Sequence, residues 1–275
     1  MSDDQTQKTI PNSRAVDPQD YLENVRNPDG TATGVHNFPN APATPDFFDT
    51  LSTPILTKDV PLNPTHNTFV CIFLPSHLTA VVVSVDYRLA PMHHLLAAYE
   101  DAVEALHWIK SADDVWLRQF ADVSKCFLMD TSAGGNISYH AGLRASTTVE
   151  KFAPLKIGGS NCTIRSLAGG TNRLWDLALP IGADRDHKYS NPMAGDDHSS
   201  DNCDRIRELE WQVIMIGCDG DPLIDRQVEF VEMLKKKGVQ VIGKFSQGDY
   251  HGVEVMELSK AKSLFVSLKA FIECN

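Results

Sequence analysis

Apolar residues along this chain come in short bursts separated by stretches of helical spacing. Asn67–Leu74 is rich in β-formers with partial alternation. Val81–Asp86 is nearly all apolar, as in a strand covered on both faces. After Pro91, the residues Leu95, Tyr99, Val103 and Leu106 recur at helical spacing. The pattern then repeats: a short strand over Cys126–Met129 is followed, past a glycine-containing turn, by a helix over Ile137–Leu143. Trp211–Gly217 reads as a buried strand, and the helix after it carries Ile224, Val231 and Leu234 on one face and ends at Gly238 in a C′ position. Val239–Phe245 returns as a strand, and Leu264, Leu268 and Phe271 mark a last amphipathic helix. Strands alternating with helices predict an α/β fold, a mainly parallel sheet with helices on both faces. In such sheets the chemistry collects in the loops after the carboxyl ends of the strands.

Two stretches break this rhythm. The first fifty residues, rich in Pro, Asn, Asp and Thr, read as an arm or lid. Residues from about 155 to 205 combine long polar loops with a helix fragment at Leu174-Trp175-Leu177, which suits a cap over a site. Residues 1–275 are otherwise expected to form one domain, since α/β enzymes of this length commonly fold around one core.

Composition narrows the function classes. An apolar fraction of 42% is that of a globular chain, and a net charge of −11 with no basic block argues against nucleic acid as a partner. Lys235-Lys236-Lys237 reads as a helix C-terminus set against its dipole. No apolar run approaches the roughly 20 residues a membrane helix needs, and the acidic, polar start is no secretory signal. Six scattered cysteines fit reduced thiols, so a cytoplasmic protein is expected, with oligomeric state left open. Trp108, Trp116, Trp175 and Trp211 are expected in the core or the cap. Neither a metal motif nor a phosphate loop is visible: His93-His94 are adjacent rather than a helical turn apart, and Gly169-Gly170 lacks the residues such a loop requires. No cofactor is therefore expected.

The candidate chemistry lies at three strand ends. Met129-Asp130-Thr131-Ser132-Ala133-Gly134-Gly135 sits between a strand and a helix, where a sharp turn lifts a serine hydroxyl above the sheet. The amide of Ala133, just after the serine, then faces a developing oxyanion. Downstream, Gly217-Cys218-Asp219-Gly220-Asp221-Pro222 follows a second strand, and Gly248-Asp249-Tyr250-His251-Gly252 a third. Ser132 as nucleophile, Asp221 as acid and His251 as base occur in the chain order expected of α/β-hydrolases. Asp219 and Asp225 rival Asp221, although Asp225 lies inside the helix and should face solvent. Asp221 before Pro222 is also good helix-start chemistry, a role compatible with the first.

Several runs resemble the plant carboxylesterases of the hormone-sensitive-lipase-like group, which also contains the gibberellin receptor and certain alkaloid cyclases. They are Val83-Ser84-Val85-Asp86-Tyr87-Arg88-Leu89-Ala90-Pro91, Ser132-Ala133-Gly134-Gly135-Asn136 and Asp221-Pro222-Leu223-Ile224-Asp225. Further matches are Thr57–Pro64, Tyr139–Arg144 and Gly182–His187, so the resemblance runs from about residue 20 to the C-terminus. It implies an α/β-hydrolase fold and hydrolysis of small esters through an acyl-enzyme, with Ser132, Asp221 and His251 matching the family triad.

The chain departs from that family at three places. The family's H-G-G-G loop, which supplies oxyanion donors, has no counterpart; Leu74-Pro75-Ser76-His77-Leu78-Thr79 leads directly toward Val81. A central strand, the loop and a helix are expected to be missing, and the neighbouring strands to find new partners. Asp130 stands where the elbow has glycine, and Lys156–Cys162 passes abruptly to Thr163-Ile164-Arg165. Losing one oxyanion donor costs on the order of 10²–10³ in rate, so impaired turnover is expected. The alternatives are a non-catalytic or truncated relative that binds a small hydrophobic molecule, or an alkaloid-cyclase-like enzyme.

Overall fold

In the computed structural model the described residues are 42–44, 55–75, 80–111, 114–161, 172–194 and 196–274. They belong to one unit, Phe38–Asn275. The arm expected over residues 1–50 lies outside them, apart from residues 42–44. Ser76–Thr79, Cys162–Arg165 and Gly169-Gly170 lie outside them as well.

The first sheet is antiparallel, in the order β1 (Ile55–Asn63), β2 (Thr68–Pro75), β3 (Val82–Asp86). Strand β1 is not evident from the sequence because Lys58, Asp59 and Pro61 mask a single apolar face. Leu56, Val60 and Leu62 supply that face against Val70 and Ile72 of β2, both wholly buried. The β1–β2 hairpin closes where Asn63 Oδ1 accepts the N–H groups of Thr65 (2.9 Å) and His66 (3.3 Å), a local turn that Asn favours.

The second sheet is wholly parallel, in the order β4 (Cys126–Met129), β5 (Ile157–Asn161), β6 (Gln212–Gly220), β7 (Val241–Tyr250). Parallel ladders thus outnumber antiparallel ones. Strand β6 is buried from Val213 through Cys218, as a strand paired on both sides and covered on both faces should be.

Among the described residues no ladder joins β3 to β4. Strand β3 was expected to be covered on both faces, yet Val82, Ser84 and Asp86 are exposed and only Val83 and Val85 are half-buried. The reason is its position: among the described residues it pairs with β2 alone, at the edge of its sheet. Helix α1 (Ala97–Ser111) bridges the two sheets. Its Ala105, Trp108 and Ile109 pack on the first sheet, whereas Ala98, Tyr99 and Leu106 face residues of the second half.

A short helix α2 (Val115–Phe120) starts at Asp114, whose Oδ1 accepts the N–H groups of Trp116 (2.9 Å) and Leu117 (3.2 Å). Helix α3 (Ala133–Ser146) follows β4 and is buried over most of its length. Tyr99 donates to Asn136 Oδ1 at 2.7 Å, and Asn136 Nδ2 donates to the Tyr189 carbonyl at 2.7 Å. In the stretch from 155 to 205, α4 (Asn172–Ala178) matches the expected fragment, and Trp175 packs with Leu179 and Tyr189. The polar run near its end differs from the expected loop: Asp196–Glu208 is a full helix, α5. Among its described side chains, 201–208, Cys203 and Ile206 are buried, and Arg207–Asp204 (2.7 Å) and Arg205–Glu208 (3.6 Å) pair along its surface. Helix α6 (Ile224–Lys236) links β6 to β7 and ends at Gly238 with φ +77°, as its sequence predicts. Helices α7 (Val253–Met256) and α8 (Leu258–Glu273) close the fold, with Leu268 and Phe271 laid on Ile214 and Ile216. Trp116, Trp175 and Trp211 are buried, and Trp108 packs against the first-sheet core. No helix among the described residues is long and apolar enough to cross a membrane.

Candidate active site

Strands β4, β6 and β7 point the same way, so the residues following their carboxyl ends meet at one rim of the sheet. Ser132 falls between β4 and α3 with φ 56° and ψ −127°, a conformation rare for a residue with a side chain. Such strain costs of order 1–3 kcal/mol and persists only where the surroundings impose it. Here Gly134 N–H and Gly135 N–H close back on the Thr131 and Ser132 carbonyls, both at 3.1 Å. A serine at this position would ordinarily cap the helix, yet its hydroxyl makes no capping bond. It lies instead 3.1 Å from His251 Nε2. The Ala133 amide stands at the first position of α3.

His251 follows β7 directly, and its Nδ1 lies 2.8 Å from Asp221 Oδ2. Asp221 follows β6 and is 2% exposed. Burial alone would push its carboxyl up. Hydrogen bonds from His251, from Leu223 N–H (2.9 Å) and from Gln227 Nε2 (3.2 Å) outweigh that and hold it below the usual carboxylate value. The charged acid is therefore retained in the fold. The chain Ser132–His251–Asp221 runs from a half-buried hydroxyl through a partly exposed imidazole to a buried carboxylate.

The rival acids take other work. Asp225 is exposed on α6. Asp219 Oδ1 accepts Gly248 N–H at 2.8 Å and so pins the end of β7 that leads to His251. The same strand end is held by the Lys260–Asp249 ion pair, 2.5 Å long. Thr131 Oγ1 donates to Glu254 Oε1 at 3.3 Å, tying the helix after His251 to the turn that carries Ser132. Gln227 and Glu254 were not singled out from the sequence. Gln227 is legible there only as a polar residue one turn beyond Leu223, on the face of α6 that carries Val231 and Leu234.

Asp130, at the elbow position, accepts Thr131 N–H at 2.7 Å and packs over Gly134. Desolvation pushes its carboxyl up, partly countered by that amide, although the residue keeps some surface in water. Among the described residues one group could offer ligands to a metal: His66, Asp101 and Glu104, on the hairpin and α1. Its carboxylates already have partners, Arg88 on Asp101 (2.7 Å) and Asn63 on Glu104 (2.8 Å). It is read as a structural cluster.

A strained serine between strand and helix, with an acid and a histidine after two later parallel strands, defines the α/β-hydrolase class. A profile for the alpha/beta hydrolase fold matches residues 62–255, and the chain belongs to that family. Carboxylesterase 20 of Arabidopsis thaliana is 39% identical over 94% of this chain and 98% of its own length. The 3-O-acetylpapaveroxine carboxylesterase CXE1 of Papaver somniferum is 34% identical over the same shares. In structure, an esterase of Pyrobaculum calidifontis superposes with a TM-score of 0.60 at 20% identity, covering 80% of this chain and 84% of its own; this likeness is one of fold. The alignment with Carboxylesterase 20 spans 323 positions but holds 94% of this chain's 275 residues, so about 64 of those positions meet gaps in this chain.

Proposed function

We propose that this chain hydrolyses small carboxylic esters, with Ser132 as nucleophile, His251 as general base and acid, and Asp221 as the group that fixes the imidazole. The observation that carries the reading is the unbroken hydrogen-bond chain from Ser132 Oγ through His251 to Asp221. His251 Nε2 takes the serine proton as Oγ attacks the acyl carbon, and Nδ1–H stays on Asp221, which stabilises the imidazolium. The proton then passes to the leaving alkoxide, and water repeats the cycle on the acyl-enzyme. The Ala133 amide faces the oxyanion. Turnover is slow, because the sequence has no H-G-G-G run to add donors. Residues 1–275 are read as a single hydrolase domain, with residues 1–50 as an arm and about 155–205 as a cap that shapes the acyl and alcohol pocket. It acts in the cytosol, a reading supported by five free thiols among the described residues.

Covalent labelling by a fluorophosphonate tests the nucleophile independently of turnover. Labelling at Ser132 that vanishes in His251→Ala supports the proposal; no labelling of the folded protein contradicts it.

A second reading, a non-catalytic binder of a small hydrophobic molecule, draws on the absent H-G-G-G run and on the missing ladder between β3 and β4 among the described residues. Equal and negligible ester hydrolysis with and without Ser132, in folded proteins, would select it.

A further inference from the structure

Asp221 is held by more than His251. Its Oδ1 accepts Leu223 N–H, and its Oδ2 is shared between His251 Nδ1 at 2.8 Å and Gln227 Nε2 at 3.2 Å. Gln227 is wholly buried on α6, an uncommon location for an amide side chain. The other end of that amide rests against β6. A methyl group on Gly217 would collide with Gln227 Oε1, so only glycine leaves room for the amide in this pose. Gly217 itself pairs with Phe245 of β7, the strand that leads to His251. The Gln227 amide is thus wedged between the strand backbone and the carboxylate that orients the imidazole.

We infer that Gln227 is a positioning residue for the reaction: it fixes the Asp221 carboxylate so that Oδ2 stays in line with His251 Nδ1. This rests on the hydrolase reading of Ser132, Asp221 and His251. A carboxylate at the end of a side chain has a broad torsional well. Leu223 N–H restrains one oxygen, and Gln227 Nε2 restrains the other, the one that His251 also contacts. Without that second donor the carboxylate plane turns, and the His251 tautomer loses its fixed partner. Gly217 provides the space the device needs, which gives the strand glycine a role beyond packing.

The test compares the full-length parent with Gln227→Met, Gln227→Glu and Gly217→Ala, measuring ester hydrolysis across pH and the NMR resonance of the His251 Nδ1 proton. Gln227→Met should lower kcat roughly tenfold to a hundredfold with KM unchanged, the scale on which a lost hydrogen bond to a charged group is felt. It should also move the acidic limb of the pH profile to lower pH, as the imidazolium loses its aligned partner. Gly217→Ala, which displaces the amide without removing it, should do the same and serves if Gln227→Met fails to fold. Gln227→Glu can donate to Asp221 only while protonated, so its activity should fall at high pH along a limb the parent lacks. In each variant the Nδ1 proton resonance should shift or broaden, a readout that needs no turnover. If the parent shows no Ser132-dependent hydrolysis, the esterase reading fails, and the resonance alone decides the positioning of Asp221. Variants that melt earlier but keep kcat, pH profile and resonance would overturn the inference and leave Gln227 a packing residue.

Discussion

The carboxylate of Asp130 lies over the Cα of Gly134, four residues on, so that a methyl group there would collide with all three atoms of the carboxyl head. The acidic side chain at the elbow has been accommodated because α3 presents no Cβ to it. Gly134→Ala alone should therefore displace Asp130 and disturb the Ser132 turn, with an expected stability loss of about 1–3 kcal/mol, as for overpacked sites. In an Asp130→Gly background the same change should cost less, because the obstructing head is gone. Urea unfolding of the four proteins of this cycle checks the coupling; additive losses would refute it.

His140 lies within α3, stacked on Tyr99 at 4.8 Å, with the edges of Tyr139 and Tyr189 at 5.2 and 5.3 Å. Burial, reinforced by the positive charges of Arg144, Lys188 and His187, pushes its pKa down to about 3 from 6.5. Between those values the unfolded chain binds a proton that the fold excludes. Stability should therefore fall as pH drops from about 6.5, by up to about 1.4 kcal/mol per unit from this group. His140→Phe, which keeps a ring in the stack, should flatten the difference in unfolding free energy between pH 7 and pH 5. An unchanged slope would show that the imidazole takes up protons in the fold.

Arg88 and Asp101 tie the end of β3 to α1. Arg88 contacts Asp101 through Nε (3.0 Å to each oxygen) and Nη2 (2.7 Å), and its own N–H adds a bond of 2.9 Å; Asp101 is wholly buried. Arg88→Ala leaves a buried carboxylate uncompensated and should cost roughly 3–5 kcal/mol. Replacing both residues, Arg88→Met with Asp101→Leu, should cost less than Arg88→Ala alone, read from urea midpoints.

The break between the sheets makes a prediction about dynamics. Strand β6 is paired on both sides, whereas β3 and β4 each have one partner strand among the described residues. Amide hydrogen exchange should be slowest in Val213–Cys218 and faster by several orders of magnitude in Val82–Asp86 and Cys126–Met129, where opening needs no global unfolding. Equal protection in all three would mean that the two sheets behave as one.

These features differ in how far they can be read from the chain. The strand-turn-helix around Ser132, the acid after β6 and the histidine after β7 are legible because each combines a short-range pattern with its place in a repeating order. The edge character of β3 is not, since Val81-Val82-Val83 looks the same whether or not a neighbour covers it. Strand β1 escapes notice because Lys58 and Asp59 interrupt its apolar positions, and Lys58 finds its partner only in space, 2.6 Å away at Asp114. Helix α5, with the sequence DDHSSDNCDRIRE, has too few apolar residues for a periodic signal. The contact of Gln227 with Asp221 depends on how α6 returns across β6, which no local pattern encodes.

The central claim is that Ser132 is an activated nucleophile in an ester-cleaving site. Initial rates of hydrolysis of a short-chain p-nitrophenyl ester, measured on the purified full chain and on Ser132→Ala beside a thermal melt of each, test it most directly. Slow turnover in the parent that disappears in Ser132→Ala, with both proteins melting cooperatively, is the result expected. Equal and negligible rates in two well-folded proteins would contradict it and leave a binding protein of hydrolase fold.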